Sequence, residues 1–111
     1  MKKTVLRQYA RLIAVKGGNV QKGQDVEIIA SLDQPEFVKM LVEECYACGA
    51  RKVTVDWSYL PITKVHYKKC SLKTLSKMED WEIERLRHRS ETLPVRIFLE
   101  SDDPDGLSGV D

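Results

Sequence analysis

Four side chains able to bind a metal ion or carry redox chemistry lie in the middle of this chain. Cys45 and Cys48 form a C-x-x-C pair, and His66 and Cys70 follow. Four such ligands are compatible with a tetrahedral zinc site. However, both paired cysteines lie on the apolar stripe of a predicted helix, near its C-terminal end, whereas redox C-x-x-C motifs use the N-terminal end. We therefore favour packing of the thiols in the core over zinc binding or redox chemistry.

A basic, partly aromatic cluster is the next candidate for a binding surface. A nucleic-acid surface combines arginines, stacked aromatic rings and a clear positive charge. The cluster has no arginine, and the whole chain has a formal net charge of +1. We predict a solvated helix face and no nucleic-acid partner. The cluster consists of Lys64, His66, Tyr67, Lys68, Lys69, Lys73 and Lys77.

The glycines at positions 18 and 23 resemble the first half of a phosphate-binding loop. Gln24 and Asp25 follow them, where such a loop has Lys and Ser or Thr. The glycines also precede a predicted strand, the reverse of the strand-to-helix order that directs N–H groups at phosphate. We interpret this segment as a turn around Gly23.

Carboxylates and histidines are present, but none has the spacing of a catalytic pair. Glu43 and Glu44 are adjacent on a predicted helix, so we expect them to point in different directions and be solvated. The aspartates within 102–105 lack the twelve-residue calcium pattern. His66 and His88 lie on polar stretches without an H-E-x-x-H motif. The sequence thus predicts no catalytic, cofactor-binding or metal-ligating residue in this chain.

Helical periodicity predicts the elements that position these residues. The first helix has Thr4 as N-cap and ends at Gly17 and Gly18, where glycine offers the left-handed conformation. The second begins with Asp33 as a capping carboxylate and Pro35 just inside, and ends at Gly49. The predicted apolar stripes are Val5, Leu6, Tyr9, Leu12, Ile13 and Lys16 on the first helix, and Val38, Leu41, Val42, Cys45 and Cys48 on the second.

Three apolar runs predict strands, at 25–30, 52–57 and 95–100. The polar segment between the last two predicts helices starting at Pro61, after a Ser71 cap, and from Asp80 to about Ser90. Two strands separated by one helix pair in parallel. We therefore predict an α/β fold: a partial doubly wound, mainly parallel sheet of three or more strands with flanking helices, and with 26–30, 53–57 and 95–99 as inner strands.

Bulk composition fits one small domain. The chain has 111 residues, 42% hydrophobic and 32% charged, with 18 basic against 17 acidic side chains. It has no apolar run of the ~20 residues that a membrane helix needs, so no membrane partner is predicted. Three cysteines, an odd number, favour reduced thiols. We expect a cytoplasmic protein.

Four segments in this order resemble the N-terminal domain of the two-metal thermophilic aminopeptidases. They are Y-A-x-L-I at 9–13, GNVQKGQ at 18–24, G-A-x-x-V-x-V-x-W-S at 49–58 and DPDGLSGVD at 103–111, where x is any residue. The resemblance implies that residues 1–111 are the N-terminal α/β domain of a larger metalloaminopeptidase. Its catalytic C-terminal domain, absent from this chain, is the implied partner.

The resemblance also implies peptide substrates, two divalent ions (Co, Zn or Mg) in the parent enzyme and a homodimeric parent. The family's Glu, His, Asp and Tyr metal ligands lie in its C-terminal half and match no position here. This domain would then bind no metal itself and would help to shape the substrate cavity. We expect no exposed apolar stripe that identifies an interface.

A second hypothesis is a stand-alone α/β ligand-binding or adaptor domain. Its ligand would lie in the crevice at the carboxyl ends of the strands. Residues 30–33, 57–59 and 101–103 would line that crevice. Continuation of the reading frame after Asp111 with Glu- and His-rich sequence favours the peptidase, and a stop codon there favours the adaptor.

Overall fold

A computed structural model describes residues 2–99 of the chain. A helix, α1, runs into a π-helical turn and is followed by alternating strands and helices, then by three consecutive helices and a last strand. The elements are α1 (Lys3–Leu12), the π-helical turn (Ile13–Gly17), β1 (Asp25–Ser31), α2 (Pro35–Ala47), β2 (Lys52–Ser58), α3 (Leu60–Lys69), α4 (Leu72–Ser76), α5 (Asp80–Thr92) and β3 (Val95–Leu99).

The three strands form one parallel sheet in the order β2-β1-β3. Val26 is aligned with Val53 on one side and with Val95 on the other. The parallel α/β prediction is therefore confirmed. The prediction of three inner strands was wrong for β2 and β3: within residues 2–99 only β1 has a neighbour on both sides.

One face of the sheet carries the hydrophobic core, covered by α1 and α2. Val26, Ile28 and Ala30 alternate along β1 and are buried there. On α2 the predicted stripe is confirmed, with Val38, Leu41 and Cys45 fully buried and Val42 and Cys48 partly buried, joined by the unpredicted Met40. Gln34 occupies the N-cap position of α2 instead of Asp33, and Pro35 is the first helical residue.

The apolar stripe predicted for α1 was only partly correct: Leu6 and Ile13 pack against the core, whereas Val5, Tyr9, Leu12 and Lys16 are exposed. Ala10 and Ala14 are the fully buried residues, whereas Tyr9 and Leu12 are each 54% exposed. Small side chains let α1 lie close to its neighbours, so the larger residues beside them are left outside. Lys2, not Thr4, holds the N-cap position, and Thr4 lies inside the helix.

Gly18 ends the first helical segment for a reason other than the predicted one. Its φ is −87°, and the left-handed conformation falls on the next residue, Asn19, at φ 48°. A Cβ on Gly18 would lie 3.2 Å from side-chain atoms of both Ile97 and Val95. The glycine therefore permits close approach to β3.

The predictions for the three later helices are confirmed. Pro61 lies in the first turn of α3, and Ser71 Oγ accepts a hydrogen bond from the Thr74 N–H at 3.1 Å, capping α4. α5 starts at Asp80 as expected and carries an unpredicted capping box between Glu79 and Glu82. None of these helices contains a buried residue. The predicted strand residue at position 100 lies outside the described residues.

Candidate functional site

Cys45 lies in the core, as the packing interpretation predicted. Its side chain is fully buried, and burial raises the pKa of the thiol to about 11, with smaller contributions from Cys48 and Glu44. A neutral buried thiol is a poor nucleophile and a poor metal ligand. Within residues 2–99, His66 and Cys70 do not join the cysteine pair, and no three His, Cys, Asp or Glu residues form a group able to hold a metal ion.

The basic cluster lies along α3 and α4 and into the segment after them, as predicted for a solvated face. Tyr67 is 56% exposed, and Lys77 Nζ lies 3.9 Å from Glu79 Oε2. An exposed pair at this distance contributes little to stability. The cluster therefore supplies positive charge to the surface of these helices.

The prediction for Glu43 and Glu44 was correct for the solvation of Glu43, whose side chain is 46% exposed, and wrong in expecting the two side chains to point in different directions. Both contact Arg7 of α1, with Arg7 Nη2 at 3.1 Å from Glu43 Oε1 and Nη1 at 3.6 Å from Glu44 Oε2. Arg11 adds a second contact to Glu44, whose side chain is only 14% exposed. The hydrogen bond from Arg7 lowers the pKa of Glu43. Adjacent helix residues share one partner because a long guanidinium from a packed helix can reach between them.

The second face of the sheet carries three carboxylates, each paired with an arginine. Asp25 accepts two hydrogen bonds from Arg51, at 2.6 and 2.9 Å. This pairing lowers the pKa of Asp25 and raises that of Arg51. The other two carboxylates, Asp56 and Glu27, face arginines of α5 (Asp56–Arg85, 2.8 Å; Glu27–Arg89, 3.0 Å).

These ion pairs were missed by the sequence analysis, although a signal was present. Charged residues alternate with buried ones on β1, and Arg85 and Arg89 are four residues apart on one side of α5. Arg96 of β3 also lies 3.6 Å from Glu27. The arginine pairs of Asp56 and Glu27 therefore hold α5 to this face of the sheet.

The two described segments that were predicted to line an adaptor crevice are hydrogen-bonded to each other at the ends of β1 and β2. The Leu32 N–H donates to the Ser58 carbonyl at 2.8 Å, and Ser58 Oγ donates to the Ala30 carbonyl at 3.3 Å. A cavity of about 460 Å³ lies beside this crevice, at the start of α2. Leu6, Tyr9, Asp33 and Phe37 are among its lining residues, so of the described crevice residues (30–33 and 57–59) only Asp33 contributes. Residues 101–103 lie outside the described residues.

The fold and these contacts define a layered α/β protein with a parallel sheet. Within residues 2–99, the candidate site residues do not come together as a catalytic centre. The sequence matches the thermophilic metalloprotease (M29) family over residues 2–111, and the chain belongs to that family. Within residues 2–99, the structure has no helix long and apolar enough to cross a membrane.

Relatives of this chain include proteins named as aminopeptidases. Aminopeptidase AmpS of Bacillus subtilis is 34% identical over 96% of this chain, which covers 26% of AmpS. Aminopeptidase PepS of Streptococcus thermophilus is 31% identical over 95% of this chain and 25% of PepS. The solved structure of wild-type AmpT from Thermus thermophilus superposes with a TM-score of 0.81 at 27% identity, over 98% of this chain and 28% of that one. The chain therefore spans about a quarter of these relatives.

Proposed function

We propose that residues 1–111 are the N-terminal α/β domain of a metal-dependent aminopeptidase that releases N-terminal amino acids from peptides. The observation that carries this proposal is the family match over residues 2–111, combined with coverage of only 26% of the AmpS sequence. The domain itself is proposed to be non-catalytic and to help to shape the substrate cavity. A cytoplasmic, homodimeric parent enzyme belongs to the same proposal.

The metal ligands are proposed to lie elsewhere in the parent polypeptide. Residues 2–99 offer no group of three or more His, Cys, Asp or Glu residues suited to a metal ion. The carboxylates of the sheet face are instead engaged by arginines. Two divalent ions (Co, Zn or Mg), when bound in the parent, would activate water and polarise the scissile carbonyl.

The test compares the 111-residue chain with the full-length parent protein. Each is incubated with aminoacyl p-nitroanilides and short peptides, after chelation and again after addition of Co²⁺, Zn²⁺ or Mg²⁺. The parent is expected to lose activity to the chelator and regain it with metal, whereas the 111-residue chain stays inactive with every ion.

Two results would contradict the proposal in different ways. Metal-dependent release of amino acids by the 111-residue chain would show that it is catalytic by itself. A parent whose activity resists chelation would contradict the metal dependence. A reading frame that stops at Asp111 would instead favour the adaptor hypothesis, for which the cavity of about 460 Å³ at the start of α2 is the candidate binding site.

A further inference from the structure

The helices α3, α4 and α5 each carry one pair of large apolar residues three positions apart. Residues with this spacing lie on the same side of a helix. Their exposed fractions range from 40% to 80%, contrary to the expectation of no exposed apolar stripe. The pairs are Ile62 and Val65, Leu72 and Leu75, and Ile83 and Leu86.

These helices have no hydrophobic core of their own, and ion pairs hold α5 to the sheet. None of them has a buried residue, and α5 reaches the sheet through Arg85 and Arg89, which pair with Asp56 and Glu27. The apolar pairs therefore contribute little burial within residues 2–99. Exposed apolar residues on soluble proteins, when they group together, often mark a surface that packs against a partner.

Further apolar groups are exposed at the start of α5 and on β3. Met78, Trp81 and Leu86 line one recess of about 200 Å³ together with three charged residues of α5, and Trp81 is 65% exposed. On the sheet, Phe98 is 62% exposed and follows Arg96 by two residues, so it lies on the same face as Glu27 and α5. Parallel sheets are normally covered on both faces, which this end of β3 is not.

We propose that the outer surface of α3–α5, together with Phe98, is the packing surface for the part of the parent polypeptide outside this chain. This inference rests on the proposed function. The match to AmpT covers 98% of this chain but only 28% of AmpT, so in that relative the equivalent domain has a much larger neighbour in the same polypeptide. That neighbour, and not a second copy of this domain, is the occupant we assign.

The surface also predicts the chemistry of the segment that covers it. The apolar pairs on α3 and α4 are interspersed with lysines, including Lys64, Lys68 and Lys73. Burial of the apolar centre would leave these ammonium groups at the rim. The covering segment is therefore apolar at its centre and acidic at its edge.

The test uses hydrogen exchange of the full-length parent, with Leu86→Glu and Leu12→Glu as matched variants. Both leucines are about half exposed in this chain, but Leu12 lies on α1, which covers the opposite face of the sheet. We expect Leu86→Glu to accelerate exchange of α3–α5 about tenfold or more in the parent. Leu12→Glu is expected to leave α3–α5 protected.

The outcomes separate this inference from the proposed function. Suppose that the parent is active, but α3–α5 exchange as fast as exposed helices or respond equally to both variants. This result would contradict the packing surface and leave the proposed function intact. Protection of α3–α5 that disappears on dilution, with a matching fall in mass by light scattering, would assign the surface to a second copy and also overturn it. An inactive parent with protected α3–α5 supports the surface and contradicts the aminopeptidase proposal.

Discussion

Arg89 of α5 donates from Nε to both carboxylate oxygens of Glu27 on the central strand, at 3.1 and 3.0 Å, although the two residues are 62 positions apart. Both side chains are mostly buried, with exposed fractions of 20% and 16%. Arg96 approaches the same carboxylate. One acidic group on β1 thus links α5 and β3 to the centre of the sheet.

Replacing Glu27 with Gln is expected to lower the free energy of unfolding by about 2 kcal/mol, because charge-assisted hydrogen bonds are lost and two arginines remain close together. Urea unfolding followed by circular dichroism measures this change. Glu84→Gln is the matched control, since Glu84 pairs with Arg87 in the solvent, and it should cost less than about 0.5 kcal/mol. Equal effects of the two variants would contradict the structural role of Glu27.

The thiol of Cys45 is expected to resist modification until the protein unfolds. Labelling with a thiol reagent at pH 8 should modify Cys48 and Cys70, which are partly exposed, well before Cys45. Cys45→Ala should cost roughly 1 kcal/mol through lost buried volume. Mass spectrometry of the labelled peptides checks the order, and early labelling of Cys45 would contradict its burial.

Because of the same thiol, the free energy of unfolding should depend on pH in the alkaline range. The folded-state pKa of about 11 exceeds the ordinary value of 9.0, so between these values the unfolded state releases a proton that the folded state retains. The contribution of Cys45 is therefore complete below pH 9 and is lost as pH rises towards 11. The difference in free energy of unfolding between the wild type and Cys45→Ala should therefore shrink as the pH rises from 9 towards 11.

Elemental analysis of protein purified without added metal should give well under one zinc ion per chain. This expectation follows from the placement of Cys45 in the core and from its raised pKa. One tightly bound zinc ion, lost on changing Cys45 and Cys48 to Ala, would overturn the packing interpretation of the pair.

Glu43 should titrate below its ordinary pKa of 4.5, because Arg7 donates a hydrogen bond to its carboxylate. Since the folded-state pKa is the lower one, the stabilisation is present above pH 4.5 and is lost as pH falls through the folded value. NMR titration of Glu43 in the wild type and in Arg7→Gln tests this. The pKa should return towards 4.5 in the variant, and an unchanged titration would exclude Arg7 as the cause.

Gly49→Ala is expected to destabilise the protein more than Gly23→Ala. Both glycines have positive φ, at 97° and 83°, so both variants carry backbone strain of roughly 1–2 kcal/mol. A Cβ on Gly49 would also lie 3.0 Å from Lys22 Cα, whereas one on Gly23 meets nothing within 4 Å. Thermal unfolding of both variants measures the difference, and equal losses would show that the close approach to Lys22 is relieved easily.

Local sequence determined most of the secondary structure. The Ser71 cap, the Pro35 start of α2 and the alternation of β1 each depend on residues within a few positions, so their physical causes are visible in the sequence. A short crossover through α2 likewise required β1 and β2 to pair in parallel. The resemblance to the aminopeptidases came from four local segments and was confirmed by the family match.

Tertiary structure alone decided which side chains meet. The buried side of the first helical segment was decided by the close approach of Ala10 and Ala14 to the core. The spacing of large apolar residues in the sequence does not predict such an approach. The sharing of Arg7 by Glu43 and Glu44, and the pairing of Glu27 with Arg89, required distant elements to pack first. Such contacts depend on the relative placement of whole helices and strands. That placement is fixed only when all of these elements bury their apolar side chains in one core.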